Sequence, residues 1–350
     1  MILKSFSYKQ PGWELSGLSP LTPVTLLVAR NATGKTRTVK ALQKVTSFLQ
    51  MKENGVNTFS AGMTFADKAD GGWKMEYSFE VSEGIITKEE LTVAGETLIK
   101  RNATAAEYRR GRITPPSDKL VAQTRRDKEL YPEIEQLMQW AEGAATVRCS
   151  DITPFTAQIL GKMSDMRAFS DLVDSLSPAE QKAVLEAAKS LGYNIADIET
   201  VELSQGMKLV RLKEESVAGD LVDPQLSGGM LRALYLLCFM SAVHRGKRPG
   251  MLVVDDLGEG LDYGRSVALG KIIFQDCESN GVQLIASSND AFLMDVVDIA
   301  NWQVLRRKNS RVTTINCTTN PQLFKDFRMT GLSNFDLFSS DFIENHTAQQ

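Results

Sequence analysis

Three separated stretches of this sequence carry residue types that handle phosphate. The first, Ala29-Arg30-Asn31-Ala32-Thr33-Gly34-Lys35-Thr36, ends the apolar run VTLLVA at 24–29 and leads into Val39, Leu42 and Leu49 at helical spacing. Such a strand, loop and helix can hold a phosphate chain. Backbone N–H groups turn inward at the helix N-terminus, a lysine reaches the β- and γ-phosphates, and a hydroxyl binds Mg2+. Gly34, Lys35 and Thr36 supply those parts on the Asn31 to Thr36 backbone, in a P-loop pattern whose leading glycine is replaced by Ala29. The second stretch, Leu226-Ser227-Gly228-Gly229-Met230, sets a hydroxyl and two glycines before an apolar helical run, so that backbone can approach an anion at a helix N-terminus. Taken alone, a glycine-rich loop capping a core helix explains it equally well. The third, Met251 to Asp256, is an apolar strand delivering the adjacent carboxylates Asp255 and Asp256, with Gly260-Leu261-Asp262 shortly after. Acidic strand ends are common; their order behind a P-loop is not.

The elements that must position these residues can be read in outline. Strands are expected at 24–29, 251–255, 282–286 and about 302–316, and helices at 228–244 and about 264–275. Residues 59–100 mix aromatics, alternation and Asp-Gly-Gly or Ala-Gly turns, which predicts antiparallel hairpins. Ser177, Pro178 and Glu180 form an N-cap, first-turn proline and capping-box acid, and Gly192 ends that helix. Between these lies a polar segment of opposite charges: 101–128 has eight Lys/Arg and three Asp/Glu, whereas 129–142 has four Glu and no base. This reads as an insertion. The division expected is 1–100 as an N-terminal lobe, 101–175 as a helical insertion and 176–350 as a C-terminal lobe.

Composition narrows the chemistry. With 350 residues, 43% hydrophobic and 24% charged, the chain suits a soluble protein of one large or two modest domains. No apolar run is long enough for a membrane span or signal peptide. Only His244 and His346 are present, so zinc hydrolysis of the H-E-x-x-H type and most histidine-based nuclease chemistry cannot be assembled. Cys149, Cys238, Cys277 and Cys317 form no C-x-x-C pair, which fits a reducing cytoplasm. The net charge of −3 gives no overall basic coat for nucleic acid.

Together these residues resemble the ABC-type ATPases, in the class of structural-maintenance-of-chromosomes (SMC), RecF and overcoming-lysogenization-defect proteins. The resemblance implies an α/β fold: an ABC-type P-loop ATPase head with an antiparallel β-subdomain and a short helical insertion. It also implies ATP and Mg2+ as ligands. Ala29 to Thr36 match Walker A, Leu226 to Gly229 the LSGG signature, Leu252 to Asp255 Walker B, and Gly260-Leu261-Asp262 the D-loop. Carried over, Asn31, Ala32, Thr33, Gly34 and Lys35 hold phosphate, Thr36 and Asp255 organise Mg2+, and Ser227, Gly228 and Gly229 meet the γ-phosphate of a partner subunit, with Asp262 at the seam. Two departures bear on catalysis. Asp256 stands where the family has a glutamate that handles water, and Asn289 stands where a switch histidine is usual. Binding should outlast turnover, and a glutamate at 256 should quicken it. The family's glutamine loop has four candidates, Gln123, Gln136, Gln139 and Gln158; Trp13 and Tyr8 could flank adenine, with core packing the competing use.

The expectation is therefore a cytoplasmic, slowly hydrolysing ATPase that pairs or oligomerises with its own kind through shared ATP. It would act as a switch or scaffold for a separate nuclease or toxin effector, as in the ATPase subunits of bacterial anti-phage systems. About sixty residues follow Asn289, fewer than the Toprim nuclease that some relatives append. The alternative is a DNA-binding repair or recombination ATPase, supported by Arg101, Arg109, Arg110, Arg112, Arg125 and Arg126, unless the neighbouring glutamates pair with them. Membrane transport has little support.

Overall fold

The computed structural model describes residues 1–52, 57–68, 71–152, 168–203, 208–243, 250–340 and 342–343. The chain opens with the antiparallel strands β1 (Ile2–Gln10) and β2 (Trp13–Leu18), whose alternation buries Phe6, Tyr8, Trp13 and Leu15. Then come β3 (Val24–Val28) and helix α1 (Lys35–Leu49). An antiparallel meander follows: β4 (Phe59–Lys68), β5 (Gly71–Ser82), β6 (Ile85–Val93), β7 (Glu96–Asn102), β8 (Ala106–Tyr108) and β9 (Gly111–Ile113). Helix α2 (Pro132–Glu142) leads into β10 (Ala144–Arg148), and helices α3 (Phe169–Ser175) and α4 (Pro178–Ser190) precede a small sheet of β11 (Ile195–Glu202), β12 (Lys208–Glu214) and β13 (Asp220–Val222). The rest is α5 (Gly228–Val243), β14 (Met251–Asp255), α6 (Tyr263–Asn280), β15 (Gln283–Ser287), α7 (Ala291–Val296), β16 (Trp302–Lys308), β17 (Arg311–Ile315), α8 (Pro321–Met329) and α9 (Asn334–Ser339).

The strands other than β11–β13 join in one sheet, ordered β10-β14-β15-β3-β16-β17-β2-β1-β4-β5-β6-β7-β8-β9. Strands β10, β14, β15, β3 and β16 run parallel, and both faces of this part are covered. Val24, Leu26, Leu252, Val254, Leu284 and Ala286 share one apolar cluster with α5 and α6; Leu27, Val253 and Ile285 share the other with α1. Among the described residues no helix is long and apolar enough to cross a membrane.

Most predicted elements lie within a residue or two of their expected bounds. The capping box at Ser177 forms, with Glu180 Oε2 accepting from Ser177 N at 2.7 Å. Helix α6 runs to Asn280, five residues past its expected end, where Gly281 stops it in a left-handed conformation. The single strand expected at 302–316 is two, because the chain reverses between Lys308 and Arg311, with Asn309 at φ 56.

The segment 101–175 differs most from a helical insertion. Residues 101–113 finish the meander as strands, and β10 lies inside the main sheet beside β14. Part of its charge is spent internally. Arg101 is 7% exposed, donates to Lys119 O at 2.6 Å and Pro116 O at 3.0 Å, and faces the fully buried Glu89. Arg126 forks onto Glu135 and reaches Glu142, and Arg109 pairs with Glu133. Three of the four glutamates of 129–142 thus pair with Arg109 and Arg126 of the basic stretch.

Glu89 is the hub of the meander's contact with α1. It accepts from Val121 N at 2.6 Å, Ala122 N at 3.0 Å and Tyr77 OH at 2.9 Å, while Gln123 in the same helical turn donates to Phe48 O at the end of α1. Burial pushes the Glu89 carboxyl above its ordinary range against the pull of these donors and Arg101. Glu89→Leu would leave two buried N–H groups without their acceptor and the buried Arg101 guanidinium without its counter-charge, so we expect a loss of about 3–5 kcal/mol in urea denaturation. A loss under about 1 kcal/mol would show that the cluster is dispensable.

Candidate nucleotide-binding site

The carboxyl ends of β3, β14 and β15 lie side by side, which is where open parallel sheets place ligands. Beyond β3 the chain makes a tight loop with Ala32 at φ 61 and Gly34 at φ 122. The second value is open to glycine and strained for any other residue, so Gly34 is there for its backbone. Consecutive turns of this kind aim N–H groups inward as an anion nest. Helix α1 begins at Lys35 with no side-chain cap and no acid in its first turn, which leaves its N-terminal dipole uncompensated. Lys35 is 6% exposed and donates from Nζ to Ala29 O at 2.5 Å. Burial lowers its pKa, and the nearby Asp256 and Asp255 raise it again. Thr36 follows, half-buried.

At the end of β14, Asp255 has no exposed surface. Its Oδ1 accepts from Ser287 Oγ at 2.6 Å, and its Oδ2 is buried without a partner. The same Ser287 Oγ accepts from Asp256 N at 2.9 Å. Asp256 sits at φ 57, and burial, Asp255 and Glu259 all hold its carboxyl above the ordinary range. Past β15, Asn289 Nδ2 donates to Asn31 Oδ1 at 3.2 Å, so the segment after β15 touches the loop before α1. Strand β15 therefore bridges Asp255 and the 29–36 loop. A cleft lined by Asp256, Gly258, Glu259, Gly260, Asn289 and Asp290 opens beside them.

The second glycine stretch is built elsewhere. A 3-10 turn at Asp223–Gln225 leads to Leu226, and Ser227 Oγ accepts from Met230 N at 3.2 Å to start α5. Ser227 and Gly228 are exposed, and a Cβ on Gly229 would lie 2.3 Å from Gly260 O. That backbone contact requires glycine at 229, whereas Gly260 sits at φ 80, a conformation that favours glycine by itself. Arg232, one turn into α5, donates to Cys149 O at 2.9 Å and Glu259 O at 3.3 Å, and its Nη2 lies 3.6 Å from Glu259 Oε2. Asp262 caps α6 through Arg265 N at 3.2 Å and pairs with the Arg265 guanidinium at 2.7 Å.

The structure thus gathers Asn31, Gly34, Lys35, Asp255, Asp256 and Asn289 at one set of strand ends, with Ser227 to Gly229 at the start of α5 and Asp262 at the start of α6. Sequence reasoning missed Ser287, Arg232 and Arg148. Ser287 stood in plain view after the apolar run of β15. Arg232 was hidden in an apolar helix, and Arg148, level with Asp255 in the β10–β14 register, belongs to a strand that was not expected. Gln123 is buried at the far end of α1, and Gln136 and Gln139 border a cleft with Gly250, at the opposite end of β14 from Asp255. Gln158 lies outside the described residues. Trp13 and Tyr8 are both 2% exposed and pack on each other at 5.9 Å, which is core use, although the Arg37 guanidinium lies 4.9 Å over Trp13.

The chain has the fold of SMC head domains. It matches an Smc head bound to the C-winged helix domain of ScpA with a TM-score of 0.56, over 90% of this chain and 97% of that one, at 13% identity. The SMC head domain from Thermotoga maritima gives 0.50 over 90% and 99%, at 13% identity. An Smc head with an extended coiled coil bound to the C-terminal domain of ScpA, from Pyrococcus furiosus, gives 0.50 over 93% and 99%, at 11% identity. At such identities the likeness concerns the fold alone. No family model and no curated protein matches the sequence.

One buried acid beside the second stretch yields a test. Asp223 is 1% exposed, its Oδ1 has no partner, and burial pushes its pKa up to about 6. A carboxyl raised on folding keeps its proton longer in the native state, so stability falls as pH rises from about 4 to about 6. Asp223→Asn should remove that loss, with a gain of about 1–3 kcal/mol in urea melts at pH 7.5 and none at pH 4. An equal gain at both pH values would rule out Asp223 as the cause.

Proposed function

We propose that the chain binds ATP with Mg2+ at the ends of β3, β14 and β15, hydrolyses it slowly, and pairs with a second copy through the bound nucleotide. The observation that carries this reading is Asp255 Oδ2, a buried carboxylate oxygen without a hydrogen-bond partner, beside a buried lysine and a glycine-turned helix start. A buried acceptor of this kind calls for a cation. Mg2+ is commonly held by one or two protein oxygens together with substrate phosphates, so Asp255 and Thr36 suffice as protein ligands. Among the described residues no cluster of three His, Cys, Asp or Glu could hold a metal without the nucleotide. Mg2+ held there would supply charge neutralisation at the phosphates. Lys35, with two protons beyond the one given to Ala29 O, binds their oxygens, and the Asn31 to Thr36 backbone donates to them. Ser287 holds Asp255 in place.

Turnover is slow in this reading because Asp256 is shorter than the usual glutamate and Asn289 cannot exchange a proton as a histidine does. Ser227 and Gly228 are exposed at a helix start with no acid in its first turn, so they are available to a partner's phosphate. The work controlled by ATP is assigned to a separate effector, in the manner of an anti-phage ATPase subunit, rather than to DNA. Arg101, Arg109 and Arg126 are already held by carboxylates, which removes half of the six arginines that supported the DNA reading. Arg110 and Arg112 remain exposed on the β8–β9 hairpin for an acidic protein surface.

Two measurements test the nucleotide reading. Calorimetric titration should show that Lys35→Ala weakens Mg·ATP binding by about 100-fold, the value of two charge-assisted hydrogen bonds; equal affinity would remove the assignment. Light scattering should show ATP-promoted pairing that Ser227→Arg weakens without loss of monomer binding. Pairing untouched by that substitution would place the contact elsewhere.

A further inference from the structure

The resemblance puts a glutamate directly after the metal-binding aspartate, and this chain has Asp256 there. A second carboxylate is nevertheless built into the same cleft. Glu259 N donates to Asp256 O at 3.2 Å, closing a four-residue turn, and Leu261 N donates to Gly258 O at 3.1 Å in a second turn directly after it. The ends of such a turn lie within about 7 Å of each other. Asp256 and Glu259 are thereby neighbours by backbone geometry.

The turn is also fixed against its surroundings. Leu257 N donates to Ser287 O at 2.9 Å, and Leu257 O accepts from Ser288 Oγ at 2.8 Å. Gly258 has φ 87, and a Cβ there would meet Leu293 Cδ1 at 2.5 Å and Ser266 Oγ at 2.6 Å. Glycine at 258 thus lets the turn pack directly against side chains of α6 and α7. Glu259 faces the open side, its side chain 46% exposed, lining the cleft together with Asp256 and Asn289. Its only ion pair among the described residues is the loose contact to Arg232 at 3.6 Å, while Arg232 also donates to the Glu259 carbonyl and to Cys149 O. One guanidinium on the helix that starts at Gly228 thus sets where Glu259 stands.

We propose that Glu259 is a catalytic carboxylate of this site, taking the proton of the attacking water that Asp256 orients, and that Arg232 is its positioning residue. This rests on the ATPase reading above. The water oxygen bonds to the γ-phosphorus, the bond from that phosphorus to the bridging oxygen breaks with its electron pair leaving on ADP, and the water proton passes to Glu259 and then to solvent. The extra methylene absent from position 256 is supplied three residues later. Arg232 ties this carboxylate to the surface that Ser227 presents to a partner.

The test uses the full chain with Mg2+ and ATP, comparing Glu259→Gln, Asp256→Asn, Arg232→Lys and the doubles. Glu259→Gln should lower kcat at least tenfold while calorimetric ATP affinity stays within twofold. The Glu259→Gln, Asp256→Asn double should be little slower than the worse single, as for groups that act as a unit. Arg232→Lys should lower kcat at unchanged affinity and have no further effect once Glu259 is Gln, an outcome that a merely structural arginine would not give. Turnover within twofold of wild type in Glu259→Gln overturns the proposal. So does a fall in kcat that only follows a loss of ATP-promoted pairing in light scattering, which would assign Glu259 to the seam. Failure of the wild type to bind ATP is seen separately by calorimetry and overturns the underlying reading as well.

Discussion

A carboxylate with no exposed surface and one oxygen left without a partner is expensive to place in a fold, and Asp255 is such a group at the centre of the site. The arrangement around it offsets the cost. The Ser287 hydroxyl satisfies one oxygen, and because that hydroxyl also accepts from Asp256 N, a single side chain fixes both members of the acidic pair. Ser287 can do so only because β15 lies between β14 and β3 and ends level with them, with Val254 opposite Ala286 and Ser287 opposite Leu27. A one-residue slip would turn Ser287 to the other face and leave the pair unsupported. The same slip would carry Asn289 away from Asn31. The strand order and register of the parallel core are thus the condition for the site.

What could be read in the sequence is what local chemistry dictates. Gly34 declares its backbone, Ser177 and Glu180 declare a helix start, and short apolar runs declare buried strands. The pairing of distant strands makes no such local mark. Strand β2 lies beside β17, with Glu14 opposite Arg311, and nothing near residue 14 announces a partner so far along the chain. Strands β8 and β9 escape for another reason. They are three residues each, and their turn places Arg109 and Arg110 at φ 46 and 67, where Asn-Gly would have been the usual signal. The glutamine candidates fail similarly, since Gln123 reads as polar but spends its amide on Phe48 O inside the core.

Position 256 shows how backbone and side chain must be weighed together. Side-chain length alone favours glutamate there, because a longer arm brings a carboxylate nearer to water. The left-handed conformation at φ 57 favours aspartate, which enters that region more readily than residues with longer side chains. A glutamate at 256 would therefore be strained just where reach was wanted, which counts against the faster turnover that side-chain length alone led us to expect of it. Displacing the longer carboxylate to Glu259, between two glycines at φ 87 and 80, meets both demands.

The charge pattern of 101–142 follows the same logic at larger scale. Counted along the sequence, a block of eight cations resembles a nucleic-acid surface. In the fold, Arg126 alone engages two glutamates from α2, and Arg101 is buried against Glu89. Each such pair removes a cation from the set that could neutralise a phosphate, and duplex affinity depends on many such contacts acting together. Arg110 and Arg112 form no ion pair among the described residues, but they flank one hairpin strand rather than a broad face. Two cations on a short sheet edge, with Glu107 opposite Arg112 in the register, match the alternating charges of a protein surface more closely than the uniform charge of a duplex.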